Sequence, residues 1–419
     1  MTPIVGRLGD MYGKERLLMI VLLALALGTL ISAVASSLWL MLAGRIIQGV
    51  GGGIFPLAFS IIRDEFPNDR VPGSIGLVSS LLGIGGGAGV VFAGIVTQNL
   101  SYHWLFWFPL GIIVVTAYLT MRYIPESPVK TPAHINYRAA ALMTVGISGV
   151  LLAITETSTW GWGSPKTLGL LTFGTLVILA WIREELASRE PLVDMRMMAI
   201  RGVWTTNVVA FLIGVGMYSS FVLIPELVQE NGPAGFGVSA TTAGLFLLPA
   251  TIAIVIVGQM AGFLERRIGS RGSLIGGSAF AIASYAIFVF DGSQEWQVYV
   301  AAGLLGIGIG LSFSAMANLI VQNVRQEQTG VATGMNAVTR TLGGAFGGQL
   351  AATLLASNLA ASGSPTSSGF TLAFLMCLIA VLASLGFAFA VPRRSANELA
   401  GEMAMLPDGS PREPERAAA

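Results

Sequence analysis

The chain has 419 residues, of which 54% are apolar and only 11% are charged, and its formal net charge is +1. Soluble globular domains carry roughly 25% charged residues, so this composition excludes a water-soluble globule and indicates a protein embedded in a lipid bilayer. The near-zero net charge gives no sign of nucleic-acid binding, and the single cysteine, Cys377, excludes an intrachain disulfide.

Twelve apolar stretches are long enough to cross a bilayer as helices, which takes about 20 residues each. In chain order they are 17–37, 38–62, 72–97, 104–124, 139–156, 167–187, 203–228, 239–264, 272–290, 296–320, 329–356 and 369–391. Short loops join them, and the proline-containing, charged segment 393–419 is predicted to be a disordered tail. The predicted fold class is an all-α membrane bundle.

Basic residues are distributed unevenly between the two sides of these spans. If the turn from Arg7 to Arg16 is cytoplasmic, nearly all Lys and Arg residues outside the spans fall on that side, and Lys166 alone lies in an outer loop. Because basic loops stay in the cytoplasm, we expect a multi-pass protein of the plasma membrane with both termini in the cytoplasm.

A charged turn bounded by glycines precedes the first span. It reads Gly6-Arg7-Leu8-Gly9-Asp10-Met11-Tyr12-Gly13-Lys14, and a diverged copy occupies 262–270. Glycines of later spans recur in the same order, with Gly49, Gly51, Gly53, Gly73, Gly86 and Gly87 matched by Gly306, Gly308, Gly310, Gly330, Gly343 and Gly344. Internal repeats are typical of secondary transporters, so the pattern predicts two related halves.

The two copies of the turn differ in what precedes them. Spans 203–228 and 239–264 precede the second copy, whereas only Met1 to Val5 precede the first. We therefore expect the first half to lack two leading helices, and two extra helices to lie between the halves. The predicted domains are an incomplete N-terminal bundle (1–130), a two-helix insert with a cytoplasmic linker (131–200), a six-helix C-terminal bundle (201–392) and the tail (393–419).

Three segments resemble a known family. The turn Gly6–Arg16 resembles the cytoplasmic signature of the major facilitator superfamily, which lies between its second and third helices. Leu42–Gly53 resembles the fourth-helix motif of its drug:proton antiporters, and the two central helices, followed by Glu190–Asp194, resemble the branch with fourteen spans. The resemblance covers residues 1 to about 392 as family helices three to fourteen, so the first helix and most of the second would be absent.

The fifth-helix antiporter signature is altered in this chain. The family pattern is Gly-x-x-x-Gly-Pro-x-x-Gly-Gly; Gly85, Gly89 and Gly94 are present, but Val90 replaces the proline and Ala93 a glycine. The remaining small residues are predicted to allow close helix packing, whereas the lost proline weakens the case for antiport. The acidic residue that the family associates with proton coupling belongs to the first helix, which falls outside this sequence.

Two arginines lie inside predicted spans. A charge at mid-membrane costs about 2.5–3.5 kcal/mol on insertion scales, so such residues usually face a cavity or a partner. The resemblance implies a proton-relay or substrate-facing role for Arg45; the alternative is a structural arginine bonded to backbone carbonyls, and no acidic residue of the sequence lies mid-membrane to pair with it. For Arg340, a cavity role and a structural role are equally supported.

The turn before the first span is also a candidate gate. Asp10 could meet a helix N-terminus of the other half and hold the cytoplasmic side closed; the alternative is a plain turn whose basic residues only set topology. The residues of this predicted cytoplasmic gate are Gly6, Arg7, Asp10, Gly13, Lys14 and Arg16.

Aromatic, methionine and amide side chains of the inferred cavity helices are candidates for a substrate site. Such side chains suit amphipathic compounds, although aromatic residues on membrane helices also face lipid or pack against neighbours. The candidates are Gln48, Phe55, Phe59, Asn207, Phe211, Tyr218, Phe221, Gln259, Phe313, Met316, Asn318 and Asn336.

Bond chemistry has no visible basis in the sequence. His103 and His134 lie in loops on opposite sides, far from Cys377, so no metal site can be assembled. We expect no enzyme activity and no cofactor; the expected partners are the bilayer, small amphipathic substrates and protons, and a monomer is favoured. The sequence predicts a secondary active transporter that exports amphipathic molecules using a proton gradient, with impaired transport in this short form. The alternatives are a facilitator or symporter for a specific metabolite and a non-transporting fragment.

Overall fold

The architecture is taken from a computed structural model of the chain. It describes residues 2–67, 69–125, 136–188, 190–231, 235–290, 292, 294–360 and 363–392. The predicted tail at 393–419 and the predicted loop position of His134 lie outside these residues.

Helices follow one another along the chain close to the predicted boundaries. The first part contains α1 (Thr2–Tyr12), α2 (Lys14–Ala33), α3 (Leu38–Gln48), α4 (Ile54–Glu65), α5 (Val71–Asn99) and α6 (Trp104–Tyr123). The middle contains α7 (Tyr137–Thr155), α8 (Thr157–Trp160), α9 (Pro165–Ala187) and α10 (Met195–Met198). The last part contains α11 (Arg201–Gln229), α12 (Ala240–Leu245), α13 (Leu248–Phe290), α14 (Glu295–Asn323), α15 (Thr329–Ala356) and α16 (Ser367–Ala390). The predicted all-α membrane bundle is confirmed.

Every predicted span has a helical counterpart, but the spans are not all equally apolar. Among the described residues, ten segments are long and apolar enough to cross a membrane. This number is below twelve because the predicted spans 239–264 and 272–290 join in one segment, Ala240–Phe290, and because α15 is not among the ten. Its lower hydropathy has a sequence cause: α15 carries Asn336, Arg340 and several threonines among its glycines.

Two glycines adopt a positive φ at equivalent places in the two copies of the turn. Gly13 joins α1 to α2 with φ 112°, and Gly269, its counterpart in the second copy of the turn, interrupts α13 with φ 68°. Residues with a Cβ rarely adopt such angles, so both copies of the turn depend on glycine at the same place. Each break redirects the chain into the next membrane helix.

The contacts between the two halves are reciprocal. A Cβ on Gly6 of α1 would lie 2.6 Å from the carbonyl carbon of Gly330 in α15, and a Cβ on Gly262 of α13 would lie 3.0 Å from the Cα of Gly73 in α5. The sequence repeat pairs Gly6 with Gly262 and Gly73 with Gly330. The two close crossings are therefore equivalents under a pseudo-two-fold relation between the halves.

Burial is greatest in the second half. The main apolar core lies among α11, α13, α14, α15 and α16, and it includes the fully buried Tyr285 and Phe374. In contrast, α3 buries only Gly44, and α6 leaves most of its large apolar side chains exposed. Such faces suit contact with lipid, whereas α14 lies inside the bundle.

The predicted packing role of Gly85, Gly89 and Gly94 is only partly correct. Gly94 lies against α12, where a Cβ would come within 2.8 Å of the Ala240 carbonyl oxygen, but nothing lies within 4 Å of the Cβ positions of Gly85 and Gly89. The physical reason is the helical period: Gly76, Gly83, Gly87 and Gly94 are spaced by seven, four and seven residues and share the face that packs on α12 and α13.

Candidate functional site

A cavity of about 380 Å³ lies between the two halves. Volumes of this size are typical of sites for small organic molecules. The first half contributes Thr2, Pro3, Gly51, Gly52, Phe55 and Leu82; the second half contributes Tyr218, Ala337, Val338, Arg340 and Thr341; and α7 contributes Met143, Thr144, Ile147, Ser148 and Leu151. The lining is largely apolar, with hydroxyl groups and one positive charge.

The wall formed by α7 was not predicted. Its five lining residues repeat at one- and three-residue steps, which places them on a single face of the helix. Thr144 and Ser148, four residues apart, add two hydroxyl groups to that face. This spacing is visible in the sequence, but the sequence pattern indicates a linker between the halves and does not show that α7 reaches the cavity.

A second, much smaller cavity of about 20 Å³ adjoins the first. The two share Phe55, Leu82, Ala337 and Arg340, so Arg340 borders both. Among the predicted candidates, Phe59, Phe313 and Asn336 line the small cavity. No acidic side chain is among the described residues that line either one.

Arg340 is the buried charge of this site. It is only 8% exposed, its Cζ lies 4.3 Å from the centroid of the Phe313 ring, and the Tyr218 phenol lies beside it. A desolvated cation–π contact contributes about 2 kcal/mol, which is below the roughly 2.5–3.5 kcal/mol insertion cost of such a charge. The Arg340 Nε atom is buried without a hydrogen-bond partner.

Close packing of α11 on α15 creates this arrangement. A Cβ on Gly214 would overlap the Arg340 carbonyl oxygen, and a Cβ on Gly344 would overlap the Tyr218 ring. Since both positions are glycine, the two backbones approach closely and Tyr218 lies beside the turn that carries Arg340. Glycine is therefore required here to place the phenol next to the guanidinium.

The remaining cavity candidates lie elsewhere. Asn207 accepts a hydrogen bond of 2.9 Å from Asn336, and Asn318 donates one of 3.2 Å to the Pro72 carbonyl. Phe211 packs against Phe346, and Phe221 packs against Gly86. Of these residues, the candidates Asn207, Asn318, Phe211 and Phe221 join helices and do not line either described cavity.

Two candidates are clearly outside the cavities. Met316 is fully buried in the apolar core of the second half, and Gln259 is exposed on the surface of α13. Hydropathy alone could not distinguish the faces of these helices, because both helices are apolar around most of their circumference.

Arg45 is not brought together with Arg340. It is exposed on α3, donates to the Gln48 side chain at 3.3 Å, and lies 5.4 Å from the Phe106 ring centroid. Gln48 in turn donates to Thr29 at 2.8 Å. Neither Arg45 nor Gln48 lines a described cavity, so the expected cavity position of both is wrong for this arrangement, and proton coupling by Arg45 stays a prediction.

An ionic cluster of Asp10, Lys14 and Asp64 occupies the end of the bundle where α1 meets α2. The Lys14 ammonium forms an ion pair with Asp64 and lies 3.6 Å from Asp10, and all three side chains are almost fully buried. Both Asp10 oxygens lack a hydrogen-bond partner. Burial raises the pKa of Asp10 to about 7, against the opposing effects of Lys14 and Arg7.

The ionic cluster is linked to the other half by neighbouring residues. Arg63 donates to the Thr329 hydroxyl at 2.6 Å and to the Val324 carbonyl at 2.9 Å, and Gln326 donates to Asp64 at 2.9 Å. Of the predicted gate residues, Gly6 therefore contacts Gly330 of the other half, and Lys14 is linked to that half through Asp64 and Gln326. The predicted meeting of Asp10 with a helix N-terminus of the other half is wrong for this arrangement, because both Asp10 oxygens lack a hydrogen-bond partner and Arg63 and Asp64 make the described polar contacts across the interface.

The sequence pattern indicates only a topological role for Arg63 and gives no signal for Asp64. Their positions at the end of α4, next to the α5 turn, carried no motif that would separate them from ordinary loop charges. Arg7 is half-buried beside the ionic cluster, and Arg16 is exposed on the first turn of α2.

Comparison with known proteins supports this picture. The model of the Major Facilitator Superfamily matches residues 1–348. The chain is 29% identical over 350 residues to multidrug resistance protein 3 of Bacillus subtilis, with 82% of this chain and 67% of the relative covered. It is 25% identical to the lincomycin resistance protein of Listeria monocytogenes, covering 68% and 60%, and 27% identical to the cephamycin export protein of Amycolatopsis lactamdurans, covering 86% and 75%.

The chain thus spans about two thirds of the length of the curated relatives it matches. Two solved structures share the fold. The human organic anion transporter MFSD10 aligns with a TM-score of 0.62 at 15% identity, covering 92% of this chain and 80% of that one. An auto-inhibited POT family peptide transporter aligns with a TM-score of 0.56 at 18% identity, covering 94% and 87%. The family match, which extends over most of the chain, shows that this multi-pass membrane protein belongs to the Major Facilitator Superfamily of transporters.

Proposed function

We propose that the protein is a secondary active transporter of the fourteen-span drug:proton antiporter branch, which exports amphipathic small molecules as protons enter. The observation that carries this proposal is the cavity between the halves, because a site at the interface of two related bundles can open to either side as they rock. The positive-inside rule supports a cytoplasmic position for the end that carries the ionic cluster, and we place the protein in the plasma membrane.

The lining of the cavity supports amphipathic substrates. Phe55, Leu82, Met143 and Tyr218 offer apolar and polarizable surface, while Thr144 and Ser148 offer hydroxyl groups. Broad apolar surface with few fixed polar contacts permits several ligands rather than one. The names of the relatives, which refer to multidrug resistance, lincomycin resistance and cephamycin export, agree with an outward direction.

Asp10 supports a role for protons. Its carboxyl group is buried in the ionic cluster, in which Asp64 receives a hydrogen bond from Gln326 of the other half, and its pKa of about 7 means that it changes charge near neutral pH. When the halves separate and water reaches the group, its pKa falls toward the ordinary value and the proton leaves. Proton binding and the position of the halves are then linked.

The test is transport in everted membrane vesicles. With vesicles that contain the protein, an imposed pH gradient, acidic inside, should drive uptake of an amphipathic fluorescent dye, and nigericin, which collapses the gradient, should stop it. Vesicles without the protein are the control. Dye movement that is the same with and without the gradient would indicate a facilitator, and no movement of any dye would indicate a non-transporting fragment.

A further inference from the structure

Within the described part of the chain, Arg340 is a buried charge that no acidic side chain accompanies in either cavity. Phe313 covers one face of the guanidinium, but the Nε atom stays without a partner at 8% exposure. Buried charges in membrane proteins are normally paired, so this site lacks a negative group.

The cavity shows what kind of group would supply that charge. Arg340 borders the cavity of about 380 Å³, whose walls are mostly apolar. A planar guanidinium offers parallel N–H donors that match the two oxygens of a carboxylate. A cationic ligand would be repelled by Arg340 in a site of low polarity, and a neutral one would leave the charge unpaired.

The surroundings of Arg340 would hold such a ligand in one orientation. Tyr218 stands beside the guanidinium and can donate its O–H to the same carboxylate, and the Thr341 side chain is the next polar group along α15. Phe55, Leu82 and Met143 would contact the apolar body of the ligand. The polar and apolar parts of the cavity thus match the two parts of one amphipathic anion.

We propose that Arg340 binds the carboxylate of an amphipathic organic anion in the cavity between the halves, and that such anions are a preferred substrate class. The claim that such anions are transported rests on the proposed function, whereas their binding to Arg340 needs no proton gradient. The ligand supplies the negative charge that the described protein residues do not.

The test compares two probes that differ in one group. Dansylglycine carries a carboxylate, and dansylglycinamide replaces it with a neutral amide of almost the same size. Fluorescence titration of the purified protein in detergent should give a Kd for dansylglycine at least tenfold lower than for the amide, since a hydrogen-bonded charge pair is among the stronger polar contacts.

Variants then assign the preference to one side chain. Arg340→Gln should bring the two Kd values within about twofold of each other, and Arg340→Lys should retain part of the preference because it keeps the charge but loses the planar donors. Arg122→Gln is the matched control: Arg122 also lies over an aromatic ring, 5.7 Å from that of Tyr123, but it is exposed on α6. It should leave the preference unchanged.

Equal affinity of the wild-type protein for both probes would by itself overturn the inference, so the test does not depend on whether a variant folds. An undiminished carboxylate preference in folded Arg340→Gln would also overturn it. Carboxylate-selective binding without gradient-driven movement of any compound would instead contradict the proposed function and leave the anion site standing.

Discussion

At the scale of single residues, the ionic cluster brings charge and deep burial together. Lys14 is fully buried between Asp10 and Asp64, at the point where α1 turns into α2. One ammonium faces two carboxyl groups, and only Asp64 receives a hydrogen bond from the other half, through Gln326. Burial raises the pKa of the Asp10 carboxyl to about 7 in this arrangement.

Lys14→Met should therefore be strongly destabilising. Removing one partner of a buried ion pair costs roughly 3–5 kcal/mol because the other charge stays buried. Thermal unfolding in detergent at pH 8 should show a large drop in the midpoint, and Lys14→Met with Asp64→Asn should recover most of it. Lys166→Met, at an exposed lysine, is the control and should change little. A double variant no more stable than Lys14→Met would refute the pairing.

Asp10 makes the stability of the closed interface depend on pH in a defined direction. Its pKa is about 7 in the folded protein and 3.8 in an unfolded chain. The folded state therefore binds the proton more tightly than the unfolded state does. The resulting contribution to the free energy of unfolding is fully present below about pH 4 and is lost as the pH rises to about 7. Asp10→Asn, which is neutral at every pH, should flatten the fall in unfolding midpoint between pH 5 and pH 8. An identical pH profile for wild type and variant would show that Asp10 titrates normally.

At the scale of helices, α5 shows how one face carries the contact between halves. Its glycines at 76, 83, 87 and 94 lie against α12 and α13 or the side chains these helices present, whereas Gly85 and Gly89 face open space. Gly85 and Gly87, two residues apart on α5, thus differ in whether a larger side chain has room.

A matched pair of substitutions tests this difference. At Gly87 a Cβ would overlap the Thr251 hydroxyl, so Gly87→Leu should destabilise the protein by about 1–3 kcal/mol through overpacking. Gly85→Leu adds the same side chain where nothing lies within 4 Å and should leave the unfolding midpoint nearly unchanged. If Gly85→Leu were the more damaging variant, the assignment of the packing face would be wrong.

The order and the type of the helices could be predicted because a bilayer imposes the length of each apolar run, and the repeat could be predicted because Gly13 and Gly269 hold backbone angles that need glycine. The side of each helix that borders the cavity could not be predicted. Met316 and Phe313 are three residues apart on α14 and both belong to the apolar core, yet of the two only Phe313 also borders a described cavity. Apolar residues surround these helices on all sides, so only the packing decides which of them reach the site.

At the scale of the whole molecule, the two halves meet through equivalent glycine crossings, Gly6 with Gly330 and Gly73 with Gly262. Reciprocal contacts of this kind let one bundle rotate against the other without changing the interior of either. Arg63 and Gln326 add polar contacts that hold the halves together beside the first crossing. In the proposed transport cycle, α4 and α15 separate at this end.

A reversible cross-link between the halves tests that separation most directly. A Cβ on Gly330 would lie 3.1 Å from the Ser60 hydroxyl oxygen, a separation close to that between a Cβ and the far sulfur of a disulfide. Ser60→Cys with Gly330→Cys should form this bond on oxidation, while the native Cys377 stays buried. Each single variant is a control. In everted vesicles, the oxidised double variant should lose gradient-driven dye uptake and regain it on reduction, whereas unchanged uptake by fully cross-linked protein would contradict the account of two bundles that rock about a shared cavity.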